Sequence, residues 1–414
     1  MEFALCLAVT SVALSTGYYL AFVVRKPQII SKPGSGISML IKECCPFVNQ
    51  LYWPTFWCFG GRAQTVVASV LKSQPLVVYD RELIYTNDGG EIALDWVNKS
   101  GSSNPLTVLI LPGLTGTSHH NYILHFVSQI TQKLDCTAAV LNNRGFGGLI
   151  LKTPRVCCAA DTEDLEFVLF HIKKARPNLP LVVTGISLGG LILTNFLCKM
   201  GEQGKNDIHD IIGAAVISTP WNLFKTSKSL EQPLNHLLFD RHLTSLLKDV
   251  LKHQLSSNNL NKFEMPCDVN QGLKSSTVRE FDDRIVAPMS GFKDRSEYYA
   301  AATLHDKPVD KINVPLLCLN AADDPFAPKD SIPCDLLSRC PNVVMVLTQY
   351  GGHVGFTEGL FPRGAGYMEK VVLQYVQALF ELWSTERINM KNNNPVCNEN
   401  RAKQNNKMVA NFFK

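Results

Sequence analysis

The glycine-flanked serine of Gly185-Ile186-Ser187-Leu188-Gly189 stands where an apolar run, Leu181-Val182-Val183-Thr184, gives way to the helical spacing of Leu188 to Met200. A strand feeding a sharp turn and then a helix lifts a serine hydroxyl above a sheet at a helix N-terminus, and the glycines remove Cβ atoms that would collide there. Serine becomes a useful nucleophile only when a base removes its proton, so a histidine held by a carboxylate must lie within reach. Sites built on this turn place the acid and then the histidine later in the chain, each just past a strand. Leu316 to Asn320 is followed by Ala321-Ala322-Asp323-Asp324-Pro325-Phe326-Ala327-Pro328, where the D-x-x-x-P spacing favours Asp324 and leaves Asp323 as the alternative. Val343 to Thr348 leads to Gly351-Gly352-His353-Val354-Gly355, which makes His353 the candidate base among ten histidines.

Attack on an acyl carbonyl creates an oxyanion that needs preorganised amide donors. The residue after the nucleophile, Leu188, supplies one; the second belongs to the loop Leu111-Pro112-Gly113-Leu114-Thr115-Gly116, with Leu114 as donor and Thr115 next in order. Two further patterns invite chemistry. His305 and Asp310 match an H-x-x-x-x-D acyltransferase box, which nothing connects to the serine. Arg144, in Asn142-Asn143-Arg144-Gly145 after an apolar strand, suits a phosphate, a loop contact or a structural carboxylate equally well.

These side chains need a frame. Short apolar runs at Thr107 to Leu111, Cys136 to Leu141, Leu181 to Thr184, Ala214 to Ser218, Leu316 to Asn320 and Val343 to Thr348 read as strands buried on both faces. Asn121 to Leu134, Asp161 to Ala175 and Leu188 to Met200 have helical spacing, and Asp88-Gly89-Gly90 reads as the turn of an antiparallel hairpin between Leu83 to Thr86 and Ile92 to Val97. Alternation of this kind predicts an α/β fold, a mostly parallel sheet with helices on both faces. Roughly ninety residues separate the strand at Val216 from that at Leu316, far more than a connection needs. Leu234, Leu237, Leu238, Leu243, Leu246 and Leu247 recur there at spacings of three and four, which predicts a helical cap over about 221–310.

The expected organisation is a transmembrane anchor over 1–27, a membrane-proximal lead-in over 28–72, the catalytic domain over 73–385 and a polar, disordered tail over 386–414. Phe3 to Val24 carries no charge, and as a helix it would extend about 33 Å, enough to cross a bilayer. A cleaved signal peptide would begin with a basic stretch, whereas Glu2 is the only charge before this run. Arg25 and Lys26 favour a cytoplasmic body, while Asn98-Lys99-Ser100 is a glycosylation pattern usable only in a lumen. The signals oppose each other, so an endomembrane such as the endoplasmic reticulum is expected with its orientation open. The lead-in holds an aromatic cluster, Tyr52, Trp53, Phe56, Trp57 and Phe59, expected to pack on the domain rather than dip into the membrane interface. Forty Lys and Arg against thirty-six Asp and Glu leave a net charge of +4 with no basic run, which argues against nucleic acid as a partner. The thirteen cysteines lack zinc-ligand spacing and are expected to be free thiols, with no metal or cofactor.

Taken together, P-G-L-T-G-T-S at 112–118, N-N-R-G at 142–145, T-E-D-L-E at 162–166, G-I-S-L-G-G at 185–190, A-A-D-D-P-F at 321–326 and G-G-H-V-G-F at 351–356 form a specific set. By these motifs the chain closely resembles the membrane-anchored abhydrolase-domain-containing proteins, members one and three, from the anchor to the region near Phe380. The resemblance implies an α/β-hydrolase fold and a single-pass anchored lipid hydrolase, a phospholipase of medium-chain and oxidised phosphatidylcholines. Its triad falls on Ser187, Asp324 and His353. It also implies a type II anchor, against the charge bias at Arg25 and Lys26. Acyl transfer, cleavage of a monoacylglycerol or small ester, and silent lipid binding are the competing expectations.

Overall fold

Runs of aliphatic and β-branched residues with no polar alternation can be satisfied only between two covering layers. The computed structural model, which describes residues 1–99, 101–204, 211–256 and 264–391, places six such runs at the centre of one sheet. Among the described residues its nine strands are β1 (Gln28–Ser31), β2 (Asp80–Tyr85), β3 (Glu91–Val97), β4 (Thr107–Leu111), β5 (Thr137–Asn142), β6 (Leu181–Ile186), β7 (Ile211–Ile217), β8 (Leu316–Ala321) and β9 (Val343–Thr348). They lie in the order β1-β9-β8-β7-β6-β4-β5-β3-β2. β4 to β9 run parallel, and β1, β2 and β3 pair antiparallel at the two edges.

Alternate residues of each central strand feed two cores. Leu109, Val183 and Val216 meet Leu165 and Leu193 on one face; Val108, Val182 and Ala215 meet Phe126, Val371 and Tyr375 on the other. Helices Glu163–Ala175 and Leu188–Glu202 thus cover the first face, and Asn121–Leu134 and Tyr367–Lys391 the second. Parallel strands bring their carboxyl ends to one edge, the place where this architecture holds its sites. Between β7 and β8 the chain leaves the sheet to build a helical roof, including Leu223–Leu230, Arg241–Ser256 and Arg295–Ala302.

The segment 28–72 is more ordered than its sequence suggests. β1 adds to the sheet edge beside β9, helix Gly36–Cys44 buries Ile37, Leu40 and Ile41 on one stripe, and helix Gly61–Leu71 follows. Each element is short and set between prolines and glycines, so no periodic signal accumulates. The aromatic cluster divides: Tyr52 is buried and its ring centroid lies 4.6 Å from that of Tyr367, whereas Trp53, Phe56 and Trp57 remain 40 to 48% exposed. The expectation of a polar tail from Glu386 also needs correction, because the last helix continues to Lys391. Trp383 stacks on Phe380 and carries the Arg387 guanidinium over its ring at 4.9 Å, contacts that extend the helix past the boundary read from composition. Residues 392–414 of that tail, and Ser100 of the glycosylation pattern, lie outside the described residues. The twelve cysteines among the described residues are all free.

At the N-terminus, Phe3–Val23 is long and apolar enough to cross a membrane. Its last turn, Tyr19–Val23, is π-helical, and Tyr19, Val23 and Val24 are buried against Phe59 and Tyr350.

Lys72, at the end of helix Gly61–Leu71, pairs with Glu369 of the last helix, and both side chains are almost wholly buried. Although burial pushes the Glu369 carboxyl up, the Lys72 ammonium outweighs it and holds the group below its ordinary value. Lys72→Met therefore leaves an uncompensated buried carboxylate and should lower stability by about 3–5 kcal/mol in chemical unfolding. Lys72→Met/Glu369→Leu should regain part of that loss.

Candidate active site

Ser187 sits on the turn between β6 and helix Leu188–Glu202 with φ 55° and ψ −116°, outside the regions open to ordinary L-residues. Such a conformation costs on the order of 1–3 kcal/mol and persists only where neighbours enforce it. The Ser187 amide donates to Ile217 O of β7 at 2.8 Å, which pins the turn to the sheet. A Cβ on Gly189 would lie 2.2 Å from Leu111 O, so only glycine lets the helix start this close to β4.

Two loops bring the partners. His353 Nε2 is 2.8 Å from Ser187 Oγ, and His353 Nδ1 is 2.9 Å from Asp324 Oδ2 and 3.1 Å from Oδ1. The Asp324 carboxylate is fully buried and accepts the amides of Phe326 and Ala327 at 2.7 and 3.2 Å. Serine, imidazole and carboxylate thus stand in one hydrogen-bonded line, and the pair of contacts on Asp324 fits an Nδ1–H donor with Nε2 facing the hydroxyl.

Asp323 points elsewhere. Its Oδ1 accepts the Gly352 amide at 2.9 Å, while its buried Oδ2 has no partner. Burial pushes the Asp323 carboxyl up to about 7, with the neighbouring Asp324 charge adding to the rise and the Gly352 amide opposing it. It braces the histidine loop and does not touch the ring.

Several supports carry no local sequence signal. The His353 amide donates to Thr65 Oγ1 at 2.8 Å, from helix Gly61–Leu71, and the Val354 amide donates to Ser218 Oγ at 3.0 Å. Gly352 has φ 60°, and a Cβ there would come within 2.2 Å of Gly61 O, so the lead-in helix and the histidine loop interlock. Phe326 stacks on the imidazole with centroids 4.1 Å apart. Its place two residues after Asp324 was the one available clue.

Opposite Ser187, Gly113 to Gly116 forms a tight turn closed by Gly116 N–H donating to Gly113 O at 2.9 Å, with Thr115 at φ 60°. The Tyr122 hydroxyl accepts the Gly113 amide at 3.0 Å and holds the turn in place. Leu114 and Thr115 occupy the two central turn positions, whose amides have no partner within the turn, and Leu188 opens a helix, where the first amides lack intrahelical acceptors. Leu114, Thr115 and Leu188 line the same cavity as Ser187 and His353. That cavity, about 920 Å³, has mostly apolar walls, among them Leu230, Leu243 and Leu246 of the roof.

The remaining candidates are structural or remote. Arg144 is buried between Asp88 and Asp164, with contacts of 2.6 to 2.9 Å to both, so its donors are spent on carboxylates. His305 and Asp310 lie outside the cavity lining.

A parallel sheet in this order, flanked by helices and an antiparallel edge, with a strained serine turn after β6, is the architecture of an α/β-hydrolase. The chain is 42% identical to mouse Phospholipase ABHD3 over 371 residues, covering 88% of this chain and 87% of that protein. It is 32% identical to Protein abhd-3.2 of Caenorhabditis elegans (88% and 95% covered) and 28% identical to human Monoacylglycerol lipase ABHD2 (86% of each). No family model matches the chain. Among solved structures, the Pyrococcus furiosus esterase PF2001 aligns at 16% identity and TM-score 0.46 over 75% of this chain and 97% of that one. The protein belongs to the ABHD3 family of α/β-hydrolases.

Asp323→Asn separates the two neighbouring carboxyls. Because the folded value lies above the unfolded one, Asp323 contributes stability that is complete below about pH 3.9 and is lost as pH rises through about 7. The substitution should flatten the decline of stability between those limits in unfolding experiments at a series of pH values, with kcat/KM for an ester close to wild type.

Proposed function

We propose that the chain is a membrane-anchored serine hydrolase of lipid carboxylic esters, with phosphatidylcholine as its principal substrate class. Ser187 Oγ attacks the acyl carbonyl carbon while His353 Nε2 takes its proton, and Asp324 holds the imidazole tautomer and stabilises the imidazolium. The amides of Leu114 and Leu188 receive the oxyanion. Collapse of the tetrahedral intermediate breaks the ester bond, and the imidazolium returns the proton to the departing lysolipid oxygen. Water then attacks the acyl-serine, Nε2 takes its proton, and the fatty acid leaves as Ser187 recovers its own.

The observation that carries this reading is the 2.8 Å contact of His353 Nε2 with Ser187 Oγ, on an imidazole held from behind by Asp324 at 2.9 Å. An apolar cavity of about 920 Å³ is large enough for acyl chains, and the relatives named phospholipases support the substrate class. The chain is proposed to reach its substrate at a bilayer in which Phe3–Val23 is embedded. A second reading, monoacylglycerol as substrate, draws on the likeness to Monoacylglycerol lipase ABHD2. Parallel assays with phosphatidylcholine and monoacylglycerol separate the two by their kcat/KM values.

Ser187→Ala should abolish fatty-acid release from phosphatidylcholine in reconstituted vesicles. Asp324→Asn, which leaves the wrong tautomer facing the serine, should lower kcat by about ten-thousand-fold. Loss of less than tenfold in either variant would contradict the assignment.

A further inference from the structure

Helix Gly61–Leu71 does two things at once. Thr65 on one side holds the histidine loop, while Val66 and Val70 line the cavity and are also open to the outside, Val70 at 69% exposure. This helix therefore forms part of the cavity mouth.

Several of the exposed apolar side chains lie on segments tied to it by hydrogen bonds. Arg62 Nε donates to Asn235 Oδ1 at 2.6 Å, which joins the helix to the roof beside the outward-facing Leu234 and Leu237. Past its other end, Ser73 donates through its amide and hydroxyl to Arg363 O at 3.0 and 2.8 Å, fixing the loop that carries Leu360 and Phe361. Phe361 is 73% exposed. Trp57 Nε1 donates to Leu360 O at 2.8 Å, so the tryptophan cluster borders the same loop. Large exposed apolar groups on neighbouring segments mark interaction surfaces, and tryptophans with a polar edge suit the headgroup layer of a bilayer.

The end of the apolar N-terminal helix meets this rim directly. Tyr19 lies against Phe56 and Trp53, with ring centroids 5.2 and 6.4 Å apart, and its hydroxyl bonds Pro54 O. The segment that would leave the bilayer thus arrives at the apolar rim of the cavity.

We propose that this rim, centred on helix Gly61–Leu71, is a lipid-bilayer docking face through which a substrate lipid passes from the membrane into the Ser187 cavity without crossing water. The inference rests on the membrane-anchored lipid-hydrolase reading and adds a surface to it. Val66 and Val70 form the threshold, and Trp57, Phe361 and Leu237 rest in the headgroup layer around it. A fatty chain that slides across this threshold stays in apolar surroundings throughout, so extraction of the lipid avoids the hydration cost of its chains.

The test uses the full chain reconstituted in phosphatidylcholine vesicles, wild type beside Phe361→Asp/Leu237→Asp. Neither residue lines the cavity, and both side chains are more than half exposed, at 73 and 60%. Long-chain phosphatidylcholine in the vesicles should be cleaved at least tenfold more slowly by the variant, while a water-soluble p-nitrophenyl ester should be turned over within twofold of wild type. An unchanged vesicle rate would overturn the proposal, and would be the outcome if the rim served a protein partner or a second copy. A parallel loss on both substrates would assign these residues to the fold and overturn it too. If wild type cleaves the soluble ester but no vesicle lipid, the substrate reading fails; docking is then decided by brominated phosphatidylcholine, which should quench tryptophan emission in wild type and clearly less in the variant. Equal quenching in both proteins would dispose of the docking face.

Discussion

A serine hydroxyl, an imidazole and a carboxylate drawn from residues 187, 353 and 324 can share a proton only if three separate loops end at the same edge of the sheet. Parallel strand direction brings their starting points together, but the final ångström comes from close backbone approach. The Ser187 turn is held at φ 55° by the hydrogen bond its amide donates to Ile217 O of β7 and by a helix start that admits no Cβ at Gly189. The strain is local, and the buried sheet beneath is what sustains it. Because the serine cannot relax toward an ordinary conformation, its Oγ stays aimed at the imidazole.

The histidine is held from more directions than its strand provides. Asp324 meets its ring nitrogen, Phe326 covers one ring face, Thr65 and Ser218 take the amides of the loop, and Asp323 receives the Gly352 amide. Thr65 belongs to a helix that begins close to the end of the apolar N-terminal segment and finishes at the buried Lys72–Glu369 pair. The segment 28–72 and the histidine loop are therefore one packed unit.

What could be read from sequence follows from what is local. The six central strands are continuous apolar runs, and the serine, acid and histidine each follow one of them, so Ser187, Asp324 and His353 stand out by order alone. The choice between Asp323 and Asp324 rested on a spacing to proline; in the structure only Asp324 faces the ring. Thr65 was invisible because its role depends on a contact across 288 residues. β1 was missed because four residues at an antiparallel edge leave no periodic trace. Composition misplaced the end of the last helix, where a ring stack and an arginine over Trp383 outweigh a polar, asparagine-rich neighbourhood.

If Ser187 is the hydroxyl that this arrangement activates, covalent trapping reveals it directly. A fluorophosphonate reacts fastest with a serine whose proton a neighbouring base can take, so peptide mass spectrometry of the inactivated protein identifies the nucleophile. A single adduct is expected, on the peptide containing Ser187, at a stoichiometry that matches the loss of esterase activity. An adduct on a different serine, or full inactivation with Ser187 unmodified, would contradict it.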